Sequence, residues 1–141
     1  VRSCRADFSL WRIWPLVIQM YKHYRSPWCA RFWQEAGLDI IPILRWSDAR
    51  TYEWVFTGIP QHAPVVAVEC RSIKSKENQG LYLEGICEGI RQTQPEKLVI
   101  YGGADHRTWL EPHLTETEVV WLESWTTVRR RVRLRADKSV K

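Results

Sequence analysis

The sequence predicts an α/β protein with a mostly parallel sheet of about five strands and helices on both faces, in a half-barrel or Rossmann-like arrangement. The first observation is a set of apolar runs that are continuous rather than alternating, which is typical of strands buried on both faces. The second is that helix-like stretches separate these runs, as right-handed βαβ crossovers require. The runs are Leu38–Trp46, Val65–Cys70, Lys97–Gly103 and Val119–Ser124, with a shorter one at Cys4–Leu10.

The stretch before the second strand is expected to contain two helices. Residues 16–25 place apolar side chains at helical spacing. The pair Ser26-Pro27 predicts a break, with serine as the N-cap and proline as the first residue of a helix that stops at Gly37. Pro42, inside the second strand, has no N–H to donate, so we expect a bulge or a sheet edge there.

The clearest helix of the sequence is predicted over residues 80–93. Its apolar positions follow the spacing i, i+3, i+4, i+7, which predicts a face packed on the sheet: Leu83, Ile86, Cys87 and Ile90. Gly85 and Gly89 lie four residues apart in this helix and would let it approach a neighbour closely.

The positive charge is concentrated at the carboxyl terminus. The net charge is +5, and residues 128–141 hold seven basic residues and one Asp, so the rest of the chain carries 5 − 6 = −1. Apolar and basic residues alternate there, which predicts a basic edge strand or tail after a single α/β domain at 1–127. The residues expected to contact a nucleic-acid backbone are Arg129, Arg130, Arg131, Arg133 and Arg135. A solvated strand that resists aggregation, or docking to an acidic partner, would explain the same pattern.

Four acidic residues are predicted at or just beyond the carboxyl ends of the strands: Asp7, Asp48, Glu69 and Asp105. If the sheet is parallel, they share one edge with Ser9, Arg45 and Tyr101, which could position a substrate. Converging carboxylates could hold Mg²⁺ or Mn²⁺ for a metal-dependent hydrolase or nuclease. The alternative is structural, with Asp48 and Asp105 as helix caps, Asp7 paired with an arginine and Glu69 solvated.

Other classes of protein find little support in the sequence. The cysteines form no C-x-x-C pair and the histidines have no ligand spacing. No apolar stretch is long enough to span a bilayer, so we expect no membrane partner. Because the cysteines lack a motif and no signal peptide is recognisable, we expect reduced thiols in a cytoplasmic protein of a bacterial host cell. The nine tryptophans are expected mainly in packing, with a stacking or partner-binding surface as the alternative.

Several short motifs resemble a family of uncharacterised phage and prophage proteins, domain of unknown function 4417. They occur in family order, roughly from residue 4 to 103: Asp7-Phe8-Ser9, Pro15, Tyr24-Arg25, Ile41-Pro42, Trp46-Ser47-Asp48, Phe56–Pro60, Val66–Val68, Pro95 and Ile100–Gly102. The resemblance implies a phage setting, an α/β or partly barrel-like fold and no established activity. Members of the family usually carry a further segment before the Asp7-Phe8-Ser9 motif, and we expect this segment to be missing here.

We therefore expect a phage-type protein that binds nucleic acid or another phosphate-bearing ligand through its arginine-rich end. The first alternative is the metal-dependent hydrolase or nuclease at the sheet edge. The second is an interaction or inhibitor protein that targets a host factor.

Overall fold

The described part of the chain contains five short strands and five helices, with short 3₁₀ turns between some of them. The computed structural model describes residues 2–4, 6, 8–71, 73 and 75–139, with the backbone alone at residues 2–3 and 134–139. The strands are β1 (Arg2–Cys4), β2 (Asp39–Ile41), β3 (Val66–Glu69), β4 (Lys97–Tyr101) and β5 (Glu118–Leu122). The helices are α1 (Leu16–Glu35), α2 (Tyr52–Val55), α3 (Lys76–Thr93), α4 (Arg107–Leu110) and α5 (Trp125–Ser139).

The central sheet has three parallel strands in the order β3-β4-β5. In its register Val68 lies opposite Ile100, and Ile100 lies opposite Trp121. The prediction that these three apolar runs are strands of one mostly parallel sheet is confirmed. Their continuous apolar character follows from burial, since Val66, Leu98 and Ile100 are fully buried.

The prediction of one sheet of about five strands is wrong. β1 and β2 form a separate parallel pair. In the described chain, a single bridge between Ile43 and Ala67 links this pair to the larger sheet. Pro42 explains the interruption, because it accepts a 2.8 Å hydrogen bond from the Ala67 N–H but has no N–H to extend the ladder. The described strands do not close into a barrel.

Helix α3 packs on the core as its spacing predicts. Ile86 and Ile90 are buried, and Leu83 is partly buried against the same core. Gly85 lies against the indole of Trp46, since a Cβ built there would lie 1.9 Å from Trp46 Nε1. Gly89 similarly faces Phe56. The close approach expected of the two glycines is thus confirmed.

Helix α1 runs through the predicted break as one helix of 20 residues with Pro27 inside it. The Ser26 hydroxyl does not cap a new helix but donates a hydrogen bond to the Ala6 carbonyl. Proline removes one backbone hydrogen bond from a helix, and here that loss does not end it. The prediction of two helices is therefore wrong.

The carboxyl-terminal segment is helix α5, not the predicted arginine-rich edge strand. Ser124 caps it, because its hydroxyl oxygen accepts a 3.3 Å hydrogen bond from the Thr127 N–H. Val128 and Val132 alternate with arginines but are also four residues apart, so the same residues fit a helix. Arginine has a high helix propensity, which favours the helix once its start is capped.

Candidate functional site

A cleft of about 800 Å³ opens at the carboxyl end of β3. The segments that follow β2 and β3 line it, together with residues 9–12 and the first half of α3. Three predicted site residues contribute to its wall, namely Ser9, Arg45 and Glu69. Crevices beyond the carboxyl ends of parallel strands are the usual ligand sites of α/β sheets. The structure thus brings these three residues to one candidate site.

Glu69 is held in an ion pair at the edge of this cleft. Its carboxylate pairs with the Arg71 guanidinium, which also lies 5.5 Å from the centroid of the Tyr101 ring. The backbone carbonyl of Glu69 accepts a 3.1 Å hydrogen bond from the Tyr82 hydroxyl. The cleft therefore offers a polar wall with both charges, a suitable arrangement for a polar or phosphate-bearing ligand.

Asp48 has a structural role: it is a capping residue, as the alternative interpretation of the acidic residues proposes. It caps the 3₁₀ turn Ala49–Thr51, and its Oδ1 accepts a 3.1 Å hydrogen bond from the Arg50 N–H. Its Oδ2 accepts a second bond, of 2.7 Å, from the Arg50 guanidinium. These bonds hold the pKa of the Asp48 carboxyl below its ordinary value. Asp48 is thereby kept ionised for capping.

The remaining predicted residues lie elsewhere or outside the description. Asp105 is exposed within the 3₁₀ turn Ala104–His106, and Gly103 rather than Asp105 occupies its N-cap. The Tyr101 hydroxyl accepts a 2.8 Å hydrogen bond from the Trp125 N–H, at the start of α5. Asp7 lies outside the described residues. Among the described side chains, no group of three or more His, Cys, Asp or Glu could hold a metal ion.

Trp46 and Tyr82 form an aromatic wall that the sequence analysis did not assign to the site. Their rings lie 5.3 Å apart, and both residues line the cleft. Trp46 Nε1 donates a 3.2 Å hydrogen bond to the carbonyl of Leu81, which fixes the indole on α3. In the sequence, Gly85 indicated that something packs closely against α3, but it did not identify the neighbour as Trp46.

Polar contacts tie residues 9–12 to the rest of the cleft. Arg12 forms a 3.1 Å ion pair with Glu77 in the first turn of α3. The backbone carbonyl of Arg12 accepts a 2.9 Å hydrogen bond from the Arg50 guanidinium. These partners are 65 and 38 residues away in sequence, so no local pattern could predict them.

Cys70 does not supply a nucleophile to this region. The side chain is fully buried, and burial raises the pKa of its thiol to about 11. Burial likewise raises the pKa of the Tyr82 hydroxyl well above its ordinary value. Both groups are therefore predominantly neutral at physiological pH.

The arginines of α5 form a second candidate site. Arg129, Arg130 and Arg133 are exposed and form no ion pair with any described side chain. Arg129 and Arg133 lie one turn apart, about 40° from each other around the helix axis. Arg131 projects from a different side of the helix and pairs with Glu123. The helix thus places on different sides the arginines that a strand would have placed on one face. The side chain of Arg135 is outside the described part of the structure.

The fold and these sites define a small α/β protein with a parallel sheet, a cleft at the strand ends and a basic terminal helix. The family model for a domain of unknown function, DUF4417, matches residues 3–118. The chain therefore belongs to the DUF4417 family, and the resemblance found in its sequence motifs is confirmed.

Two phage proteins are similar to this chain. The Gene 1 protein of Mycobacterium phage L5 is 35% identical over 124 residues, which cover 86% of this chain and 54% of that protein. The Gene 1 protein of Mycobacterium phage D29 is 36% identical over 96 residues, which cover 68% of this chain and 36% of that protein. The matched region thus spans about half or less of these relatives.

Two further comparisons concern structure and membranes. No solved structure matches the chain significantly. Within the described residues, no helix combines the length and the apolar character needed to cross a bilayer.

Proposed function

We propose that this phage protein binds the sugar-phosphate backbone of nucleic acid through helix α5. The observation that carries the proposal is the exposed basic face formed by Arg129, Arg130 and Arg133. Guanidinium groups are suited to phosphate because they present several donors in a fixed planar fork. Because these contacts would be to phosphates, the binding should be independent of base sequence.

The charge distribution supports this choice of helix. Elsewhere on the surface, many arginines are already paired, such as Arg91 with Glu88 and Arg107 with Glu111. On α5 the described pair is Arg131 with Glu123, which leaves the other exposed arginines available for a polyanion. Binding would release counterions from the nucleic acid and would weaken steeply with salt.

The test is fluorescence anisotropy with generic double-stranded DNA and RNA across a salt series. Each phosphate contact contributes about −0.9 to the slope of log K against log salt for B-DNA. Replacing Arg129 and Arg133 together by Gln should make the slope less steep by about 1.8. Arg91→Gln is the matched control, because it removes one exposed arginine that is paired with Glu88 and should leave the slope unchanged.

Four results bear on the proposal. Absence of binding to either nucleic acid at low salt would refute it, as would an affinity that does not change with the salt concentration. Equal losses in the Arg129/Arg133 variant and in Arg91→Gln would show a general charge effect rather than a site. Competition by millimolar inorganic phosphate would indicate a site for a small phosphate-bearing ligand instead.

The hydrolase or nuclease hypothesis keeps one supporting observation, the cleft that gathers Ser9, Arg45 and Glu69. Among the described acidic residues of that prediction, its metal site would depend on Glu69, because Asp48 is engaged in capping and Asp105 is absent from the cleft wall. Titration with Mg²⁺ and Mn²⁺ by calorimetry, on the protein and on Glu69→Gln, tests it directly. Saturable binding that the substitution abolishes would support the hypothesis, and identical titrations would reject it.

A further inference from the structure

Helix α1 presents an apolar stripe to solvent. The stripe consists of five side chains that are between 60% and 68% exposed: Val17, Tyr21, Tyr24, Trp28 and Phe32. Their spacing of three and four residues places them on one face of the helix. Trp28 and Phe32 stack on each other within it, with ring centroids 6.3 Å apart. Contiguous exposed apolar surface of this kind is typical of an interaction site.

The opposite face of α1 is polar or small and is turned into the protein. Its buried residues are Gln19, Ser26 and Ala30. Gln19 donates a 2.9 Å hydrogen bond to the Trp14 carbonyl and accepts one of 2.6 Å from the Ser47 hydroxyl. These buried hydrogen bonds fix the rotation of the helix. The apolar stripe therefore cannot turn inward without leaving buried polar groups unpaired.

We propose that the stripe is the interface between two copies of this chain, formed by antiparallel packing of two α1 helices. A stable interface covers about 800 Å² on each partner. An aromatic side chain can bury about 150–250 Å², so the exposed parts of the four aromatic residues amount to roughly 400–600 Å². Val17, which belongs to the stripe, and Met20, which lies beside it on the helix, add to this area and are 68% and 46% exposed. The available area thus matches what a symmetric dimer needs, independently of the nucleic-acid proposal.

The sequence of the stripe is compatible with two-fold symmetry. In one antiparallel register, Val17 of each copy faces Phe32 of the other, and Tyr21 faces Trp28. Tyr24 then lies beside the two-fold axis. Val17, the smallest side chain of the stripe, thereby meets an aromatic ring, and one patch serves both subunits, as a symmetric dimer requires. Helix α1 has 20 residues and is about 30 Å long, which accommodates the whole register.

The basic residues of α1 favour a second copy over a lipid surface. Lys22 lies 5.6 Å from the Trp14 ring centroid, and Arg25 lies 4.2 Å from that of Phe8. Arg31 forms a 2.9 Å ion pair with Glu35. A helix that lies on a membrane presents such groups to anionic headgroups. Here they are engaged within the chain.

The first test measures the oligomeric state by sedimentation equilibrium over a concentration series. The wild-type chain is expected to dimerise, and Trp28→Glu should raise the dissociation constant by at least about 30-fold, because it removes a central aromatic anchor. Trp125→Glu is the matched control, since Trp125 is 66% exposed on α5 and outside the stripe. It should dimerise like the wild type, and circular dichroism should show both variants folded.

The second test fixes the register by disulfide cross-linking in a background with Cys4 and Cys29 replaced by Ser. Tyr24→Cys should cross-link readily, because the two copies of this position meet at the axis. Val17→Cys should not, because its two copies lie about 22 Å apart along the helices in the proposed register. Efficient cross-linking of Val17→Cys would overturn the antiparallel arrangement.

Two results would overturn the proposal as a whole. One is a wild-type chain that stays monomeric at several hundred micromolar. The other is equal dimerisation of wild type and Trp28→Glu. A monomer that binds phosphatidylcholine–phosphatidylserine vesicles, with binding lost in Trp28→Glu, would assign the stripe to a lipid surface instead.

Discussion

The contact between Gly85 and Trp46 gives the sharpest prediction about the fold. A Cβ at position 85 would lie 1.9 Å from Trp46 Nε1 and 2.1 Å from Cε2, so Gly85→Ala forces the ring or the helix to move. The indole cannot move freely, because it is hydrogen-bonded to the Leu81 carbonyl and lies within 5.3 Å of the Tyr82 ring and 6.3 Å of the Phe56 ring.

The size of the effect follows from three contributions. Overpacking a core typically costs about 1–3 kcal/mol, and loss of the indole hydrogen bond costs about 0.5–1.5 kcal/mol. Alanine in place of glycine contributes about 1 kcal/mol of helix propensity in the opposite direction. We therefore expect Gly85→Ala to lower the free energy of unfolding by about 1–3 kcal/mol.

The assay is urea denaturation, with Gly80→Ala as the matched control in the same helix. Nothing lies within 4 Å of a Cβ at position 80, so this variant should be stabilised by about 1 kcal/mol. In a Trp46→Ala background the clash disappears, and Gly85→Ala should then stabilise as Gly80→Ala does. Equal stability of the two glycine variants in the wild-type background would refute the packing argument.

Two further predictions use the perturbed pKa values of side chains. Hydrogen bonds from Arg91 and Gln92 lower the pKa of Glu88 to about 2. The ionised carboxylate therefore stabilises the fold at pH values above the ordinary pKa of a glutamate, and this stabilisation is lost as the pH falls towards 2. Glu88→Gln should flatten the pH dependence of the unfolding free energy between about pH 4.5 and pH 2. Burial raises the pKa of the Cys70 thiol to about 11. Iodoacetamide at pH 8 should therefore leave Cys70 unmodified in the native protein and alkylate it in urea, as measured by peptide mass spectrometry. Alkylation of Cys70 in the native protein would contradict the raised pKa.

The sheet could be predicted where burial alone determines the pattern. The run that became β3 is apolar on both faces because Val66, Ala67 and Val68 are all buried. Strand β4 alternates buried with half-buried positions, and β5 is half-buried at its centre and exposed at its ends. The failure at β2 has a local cause in Pro42, whose missing N–H leaves one bridge where a ladder was expected. Pro42 is visible in the sequence, but whether its missing N–H interrupts the sheet depends on the position of β3 beside it.

The candidate site was predicted in part for a similar reason. Ser9, Arg45 and Glu69 meet at one cleft, which the placement of residues at strand ends predicts. Asp48 is instead taken up by its own turn, and the Arg50 side chain that satisfies it is only two residues away. Position after a strand therefore identifies candidate residues, while local hydrogen bonding decides which of them are free to bind a ligand.

The two terminal helices show where periodicity is ambiguous. The alternation of apolar and basic residues over 128–136, which only Arg130 breaks, fits a strand, and Val128 and Val132 also fit a helix. The hydrogen bond from the Thr127 N–H to the Ser124 hydroxyl starts a helix before the alternation begins. In α1 the spacing correctly predicts an apolar face, but contacts with Ala6 and Ser47, 20 and 28 residues away, determine which face is buried.

The family match separates the two proposals made for this protein. The matched region, residues 3–118, includes the apolar stripe on α1 and ends before α5 begins at Trp125. If the stripe is an interface of the family fold, the matching region of the phage L5 Gene 1 protein should also self-associate. Binding through the basic helix would instead be independent of the matched domain, because α5 begins after residue 118. The same two assays, applied to both proteins, therefore distinguish a shared architecture from an activity added at the end of the chain.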